Sequence, residues 1–491
     1  MTKVGFVSLG CPKNLVDSEV MMGILSRGGY ELTPRADEAD VLVVNTCSFI
    51  EAAQKESVDA ILEMAEHKKF GAAKKLIVAG CLVERFRAQI LEQVPEVDAV
   101  VGTGEVERIL EAVEGNLRML PAQPPAFLYH DLTPRIVTTP KHAAYIKIAE
   151  GCDHPCTFCI IPELRGKFRS RRFESVVREA ENLAKAGARE ITLIGQDTTS
   201  YGEDLGLRDG LAKLLEKLAQ VDELLWIRFL YAYPNRVTQK LLDTLAAHPR
   251  LAKYMDMPLQ HASRNVLARM KRGSNGDAFL KLLERMRATI PGVALRTSFI
   301  VGFPGETESD FEELCDFVKA AKLDWMGVFE YSDVDNAESY ALDEKFDAET
   351  IADRRSRLMA IQKKLSRENM RARYLGAKSR KSESHAFTAL VEGPSKDNPL
   401  VWEARLESMA PEIDGKLYLT DIELPNGDVA AAGDVARVEI TKADAYDLIG
   451  RVVEILPRPA ERDSCFAAPP AVLPAEKLHR IATGAPLRVL G

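Results

Sequence analysis

The sequence predicts an α/β chain built in three parts. These are an N-terminal parallel-sheet α/β domain over residues 1–120, a partial (β/α)6 TIM-like barrel over 140–345, and a small antiparallel β-barrel over 382–456. Three observations predict this. At 491 residues the chain is too long for one hydrophobic core. Two long stretches alternate near-continuous apolar runs with amphipathic helical patterns, the signature of parallel strands covered on both faces. From about residue 386 the pattern changes to short apolar runs punctuated by Pro and Gly, which reads as a small barrel.

In the first stretch, strand-like runs at 4–9, 41–45, 76–79 and 100–102 are each followed by a helical pattern, near 14–27, 51–66, 84–94 and 105–114. Pro121, Pro124 and Pro125 mark a linker over 121–139. The second stretch places strands at 145–149, 190–194, 226–230, 254–257, 295–301 and 325–329. Barrels of this kind put their chemistry at the C-terminal ends of the strands. Residues 346–381 form a helical connector, in which Lys and Arg outnumber Asp and Glu by eleven to four from Asp347 onward. Residues 386–455 invert that balance, with six basic residues against fourteen acidic ones. Residues 457–491 are rich in Pro and Ala and are expected to be a mostly disordered tail, with a short helix near 475–482.

The whole chain carries a net charge of −8, so it has no global basic field for nucleic acid. No run of about eighteen apolar residues is present, so no membrane span is expected. The N-terminus lacks the charged and apolar regions of a signal peptide, which points to the cytoplasm. In such a chain, eight cysteines suggest metal or catalysis rather than disulfides.

Three of them stand in Gly151-Cys152-Asp153-His154-Pro155-Cys156-Thr157-Phe158-Cys159, directly after the first barrel strand. Three thiolates on one tight loop can hold three irons of a [4Fe–4S] cube and leave the fourth iron without a protein ligand. The competing reading is structural zinc, but zinc loops favour paired C-x2-C halves and four ligands. Here the nearest fourth candidate, His154, lies inside the loop.

Cys11, Cys47 and Cys81 each follow a strand of the N-terminal sheet and precede a helix. The C-terminal ends of parallel strands share one edge, so the three should converge there despite their separation in sequence. Helix N-termini also favour thiolates. Buried core cysteines are the alternative at any one of these positions; three equivalent placements favour a second cluster. Cys315 reads as core, and Cys465 has no partner in the sequence.

The loop at Cys152, Cys156 and Cys159, with the aromatic Phe158 before its last cysteine, resembles the radical S-adenosylmethionine (SAM) superfamily. Gly195-Gln196-Asp197 is similar to the element that meets the SAM amino group in that superfamily. The strand with Ile300 and Gly302 is similar to its adenine-side strand. Arg171, just beyond the cysteine loop, is a candidate partner for the SAM carboxylate, with a plain surface charge as the alternative.

With both cysteine sets, the chain up to about residue 456 resembles the methylthiotransferases, which carry an N-terminal cluster domain, a radical SAM barrel and a TRAM barrel. The stretch Gly10-Cys11-Pro12-Lys13-Asn14-Leu15-Val16-Asp17-Ser18-Glu19 looks like the RimO branch, as do Ile160-Ile161-Pro162, Gln196 to Gly202 and Ala410 to Gly415. The MiaB branch, which modifies tRNA adenosine, typically has Gln-Met in place of Pro12-Lys13. The resemblance implies two [4Fe–4S] clusters, two SAM molecules, and a methylthio group placed on the β-carbon of an aspartate in a small-subunit ribosomal protein, number twelve of its set. It implies no catalytic side chain beyond the cluster ligands. An electron donor such as flavodoxin or ferredoxin is expected, and a monomer.

TRAM domains commonly bind RNA, yet this one is acidic. That charge suits a basic protein substrate, with Glu403, Glu407, Glu412, Asp414, Asp421 and Glu423 as candidate contacts. The basic connector reads as a solvated helix face, with ribosomal RNA as the alternative partner. Two other classes remain open at this level: a two-cluster electron carrier, and a zinc-bound RNA-binding module.

Overall fold

The computed structural model describes residues 1–115, 125–376 and 386–457. The tail from 458 onward, with Cys465, and the linker prolines Pro121 and Pro124 lie outside the described residues.

The N-terminal domain runs β1 (Lys3–Ser8), α1 (Pro12–Arg27), β2 (Glu31–Thr33), β3 (Val41–Thr46), α2 (Glu51–Phe70), β4 (Lys75–Gly80), α3 (Cys81–Gln93), β5 (Ala99–Val101) and α4 (Ile109–Glu114). Its sheet has the order β2-β1-β3-β4-β5, all parallel. The central strand β3, Val-Leu-Val-Val-Asn-Thr, is buried along its whole length because helices cover both faces. Strand β2 pairs only three residues at the edge and was not foreseen from the sequence.

The second domain runs β6 (Ala143–Lys147), β7 (Ala149–Glu150), α5 (Ile161–Arg165), β8 (Arg169–Ser170), α6 (Phe173–Lys185), β9 (Glu190–Ile194), α7 (Gly210–Leu218), β10 (Trp226–Phe229), α8 (Gln239–Ala247), β11 (Tyr254–Asp256), α9 (Arg264–Arg269), α10 (Gly276–Thr289), β12 (Ala294–Val301), α11 (Glu308–Ala321) and β13 (Trp325–Glu330). The six strands β6, β9, β10, β11, β12 and β13 lie in parallel in that order, with a parallel bridge Ile227↔Leu251 joining the two halves. The first strand sits two residues earlier than the sequence reading. At Ile148 the chain leaves β6, and Ala149–Glu150 pairs antiparallel with Arg169–Ser170, clamping the base of the cysteine loop.

Helix α12 (Ala348–Tyr374) is the connector. Much of its positive charge is paired with acids of the same chain. Arg354 pairs with buried Glu306, Arg357 with Glu308 and Glu312, Arg367 with Asp444, and Arg373 with Asp324. Lys363, Lys364 and Arg371 are exposed, as the solvated-face reading expects.

The last domain comprises β14 (Ala386–Pro394), β15 (Trp402–Leu406), β16 (Leu417–Asp421), β17 (Val435–Ala443) and β18 (Leu448–Ile455), closed in the order β14-β15-β16-β18-β17. A small closed barrel is what the pattern predicts, but it is antiparallel only in part: β16 pairs parallel with β18. A ring of five strands cannot alternate direction all the way round, so one parallel pair is required. The barrel docks on the N-terminal ends of the central strands. Arg405 reaches Glu190 at the start of β9, Tyr254 reaches Asp414, and Trp325 at the start of β13 donates to the Ser408 carbonyl at 2.7 Å. Among the described residues no helix is long and apolar enough to cross a membrane.

Candidate functional site: two cysteine sets at one mouth

The N-terminal domain covers the opposite end of the barrel, where the central strands finish. Cys11 caps α1 with extended backbone and is followed by Pro12 in the first turn, where a missing N–H costs nothing. Cys47 directly follows β3, and Cys81 opens α3. Two glycines show how tightly these loops converge. A Cβ on Gly10 (φ +86°) would lie 2.7 Å from the Cys47 Cβ, and one on Gly80 (φ +95°) would lie 2.3 Å from the Asn45 side-chain oxygen. Any other residue would force the cysteine loops apart. Asn14 ties Leu9 to Thr46 through their carbonyls, and Ser57 both receives from the Cys47 N–H and donates to its carbonyl.

Burial pushes the Cys47 thiol up to about 12, with the neighbouring Cys81 and Cys11 thiolates adding to the rise. Burial also raises Cys81, against the pull of Arg165. For Cys11, burial acts upward but the Lys13 ammonium and Arg165 guanidinium outweigh it, and the thiol is lowered. The three sulfurs thus sense one another and share the Arg165 cation, with Lys13 acting on Cys11 alone.

The second set stands on the loop after β7. Burial raises Cys152 to about 11 and Cys159 to about 12, with the other thiolates of the loop contributing. Cys156 lies 3.6 Å from Arg272. Among the described residues no three His, Cys, Asp or Glu side chains are placed to hold a single metal ion. A cube that takes one iron per thiolate needs its sulfurs more widely spaced than that.

One short segment joins the two sets. Past the end of β10, Tyr231 lies under the Lys13 ammonium, whose Nζ is 3.4 Å from the ring centroid. Two residues on, Tyr233 stacks on His154 of the cysteine loop at 3.7 Å, and the Arg272 guanidinium lies 4.4 Å from the Tyr233 ring centroid. A second link is polar. Arg165, on the helix after the cysteine loop, lies 3.5 Å from the Cys81 sulfur, 3.3 Å from Asn14 and 3.0 Å from Asp17, and pairs with Glu150 at 3.1 Å. Lys147 joins Asp17 and Glu150 from the other side. A third link is apolar, with Cys81 packed against Ile160 and Leu164. Both cysteine sets therefore face the same mouth.

The chain matches the uncharacterised protein family UPF0004 over residues 3–102, the Radical SAM superfamily over 146–318 and the TRAM domain over 385–453. The ribosomal protein uS12 methylthiotransferase RimO of Solibacter usitatus is 61% identical over 480 residues, covering 97% of this chain and 99% of that one. The chain belongs to the RimO family of methylthiotransferases. The protein of the same name from Koribacter versatilis is 56% identical, covering 92% of this chain and 96% of its own length. Among solved structures, the radical SAM methyltransferase TsrM from Kitasatospora setae aligns with a TM-score of 0.49 at 17% identity, over 67% of this chain and 73% of that one.

Within this RimO-family site the other expected residues fall unevenly. Phe158 and Ile300 pack against one apolar patch of Val266, Met270 and Phe303. Gly302 has φ +75°, and its N–H donates to Glu306 at 2.7 Å. Gly195 and Gln196 stand at the end of β9, and the Gln196 amide donates to Glu150 at 2.7 Å. Among the described residues the buried Gln196 side-chain oxygen has no hydrogen-bond partner.

Asp197 is not free for a ligand's amino group. Its two oxygens are taken by the Thr199 and Ser200 turn and by His154 at 2.7 Å. A short carboxylate two and three residues before backbone N–H groups caps its own turn. Arg171 is neither a SAM carboxylate partner nor a surface charge. It is 2% exposed, pairs with Glu179, donates to the Lys147 carbonyl and lies 4.0 Å over the Tyr129 ring. Glu179 and Tyr129 hold it in the wall between domains.

The acidic candidates also divide. Asp414 is buried and accepts from Tyr254 at 2.6 Å and from the Ala410 N–H at 2.8 Å. Glu407 accepts from the Lys253 N–H, Glu412 from the Tyr145 hydroxyl, and Glu403 pairs with Lys416. Glu407 and Asp414 thus dock the small barrel, at the end of the central strands away from the cysteines, and are not free substrate contacts, while Glu412 touches the Tyr145 hydroxyl and stays exposed. Asp421 and Glu423 are exposed.

Lys13, Tyr231, Tyr233, Arg165, Asp17 and Glu150 were not singled out as site residues from the sequence. The signal available for the tyrosines was their place just past a barrel strand.

Proposed function

We propose that this chain is a radical SAM methylthiotransferase that places a methylthio group on the β-carbon of an aspartate in ribosomal protein uS12, in the cytoplasm. The observation that carries this reading is the convergence of two three-cysteine sets on one mouth, bridged by the segment from Tyr231 to Tyr233.

The donor sets suit the groups the reading requires. Each is all-thiolate with three members, which matches a [4Fe–4S] cluster with one open iron. Cys152, Cys156 and Cys159 would hold the SAM-cleaving cluster, and Cys11, Cys47 and Cys81 the one that carries sulfur. The unpartnered Gln196 oxygen is an acceptor matched to the SAM ammonium. Phe158 and Ile300 offer an apolar surface for its adenine. When bound, these groups supply reductive cleavage of SAM and the radical chemistry at carbon.

The chain's own residues position and shield. His154, gripped by Asp197 and stacked on Tyr233, fixes the shape of the cysteine loop. Arg272 places a positive charge beside Cys156, and Lys13 one beside Cys11. The buried network of Asp17, Lys147, Glu150 and Arg165 locks the N-terminal domain over the mouth, which excludes water from reactive species. An electron donor such as flavodoxin or ferredoxin completes the reading.

The test offers uS12 and tRNA together to the reconstituted chain with SAM and a reductant. Methylthiolation of uS12 alone is expected. Methylthiolated adenosine with unmodified uS12 would overturn the assignment in favour of the tRNA branch.

A further inference from the structure

Buried cations in this region come with carboxylates. Lys147 has Asp17 and Glu150, Arg165 the same two, Arg135 has Glu19 and Glu179, and Arg171 has Glu179. Lys13 is different. It is 8% exposed, and among the described residues no carboxylate lies within ion-pair distance of its ammonium. Its neighbours are the Tyr231 ring at 3.4 Å and the Cys11 thiol. Taking an ammonium out of water is costly unless an anion compensates. An aromatic face offsets part of that cost, about 0.5–2 kcal/mol. Among the described residues the Cys11 sulfur is the one anion the chain itself supplies there, and an ammonium has three N–H donors, so a second anion from outside the chain can join it.

The place of Lys13 says which anion. It lies two residues past Cys11 and against Tyr231, whose segment continues to the stack on His154, so it stands between the two cysteine sets. A substrate side chain modified there must enter the same space. We infer that the Lys13 ammonium, seated on Tyr231, receives the side-chain carboxylate of the substrate aspartate and so sets the preference for an acid over its amide. This rests on the methylthiotransferase reading and deepens it. In aspartate the β-carbon is bonded directly to the carboxyl carbon. A charge-assisted hydrogen bond of about 2.8 Å at the ammonium therefore fixes the carbon to be modified to within one bond length and one angle. An asparagine would offer the ammonium only a neutral amide oxygen in that place.

The experiment compares uS12 with a form in which the target aspartate is replaced by asparagine, on the reconstituted full chain and its Lys13→Met and Lys13→Arg variants. Wild type should favour the aspartate form by about a hundredfold in kcat/KM, the size expected for a desolvated charge pair. Lys13→Met should flatten that ratio to within a few-fold, and Lys13→Arg should retain most of it. Affinity for the two forms, measured by direct binding, should follow the same pattern. Equal losses on both substrates, with iron lost from the chain, would show that Lys13 only supports the Cys11 set, and would overturn the inference.

A second measurement uses wild type alone, so that misfolding of a variant cannot decide the matter. Zero-length carbodiimide coupling should join Lys13 to the target aspartate. Coupling of uS12 only through other lysines would also overturn it. If wild type modifies neither form, the methylthiotransferase reading itself fails. If wild type works and Lys13→Met discriminates as before, only this inference fails.

Discussion

Replacing Arg165 should loosen the N-terminal domain from the barrel mouth. Arg165 is 2% exposed and spans four acceptors on both domains: Asp17, Asn14, Glu150 and the Cys81 sulfur. In Arg165→Met the length is kept and the charge removed. Asp17 and Glu150 would then share Lys147 alone, leaving one buried negative charge uncompensated. Breaking a buried pair from one side costs about 3–5 kcal/mol. For a domain of 150–250 residues that corresponds to a fall in Tm of roughly 6–20 °C. Burial alone would raise the Glu150 carboxyl, but Lys147 and Arg165 hold it well below the usual range. In wild type that depression contributes stability above the ordinary carboxylate pKa, lost as pH falls. The deficit of the variant should therefore be largest near neutral pH and shrink on acidification. Arg165→Lys should recover less than half of the loss, since one ammonium cannot fork to acceptors on two sides. The assay is thermal and urea unfolding of the apo chain at several pH values. A deficit under about 1 kcal/mol at pH 7, or one that grows on acidification, would refute the account of this network.

Replacing Cys152, Cys156 and Cys159 together by alanine should remove half of the bound iron and abolish SAM cleavage, as read by iron analysis and 5′-deoxyadenosine production. Replacing Cys11, Cys47 and Cys81 should remove the other half and end methylthiolation, with unchanged iron counting against the second cluster. Burial raises Asp414 to about 6, against the pull of Arg296 and the Tyr254 hydroxyl. Its folded pKa exceeds the unfolded one, so rising pH from about 4 to 6 should cost wild type up to roughly 3 kcal/mol relative to Asp414→Asn. An identical pH dependence in the two proteins would contradict that. Charge reversal at exposed Asp421 and Glu423 should slow association with basic uS12, more so at low salt. An unchanged association rate would confine the acidity of the small barrel to docking and solubility.

Much of this architecture was readable from the chain because buried parallel strands write their pattern plainly. The run Val41 to Thr46 is apolar or hydrogen-bonded at each position and is buried throughout. The cysteines were readable for the same reason, since strand ends locate the edge where ligands gather. Side-chain commitments were not. Nothing local distinguishes Arg171, sealed against Glu179 and Tyr129, from an arginine open to a ligand, because its partners come from residues 129 and 179. Asp414 looked like one acid among fourteen, and only the docking of two domains buries it against Tyr254. Lys13 was visible as a letter of a motif, but its meaning depends on Tyr231, more than two hundred residues away. The parallel pair β16–β18 follows from closure of an odd ring, which no single strand's pattern records.

The central claim is most directly tested by mass spectrometry of uS12 from cells with and without the gene for this chain. The account predicts one methylthio group on a single aspartate of uS12 when the gene is present and an unmodified aspartate when it is absent. The same uS12 mass in both strains would contradict it.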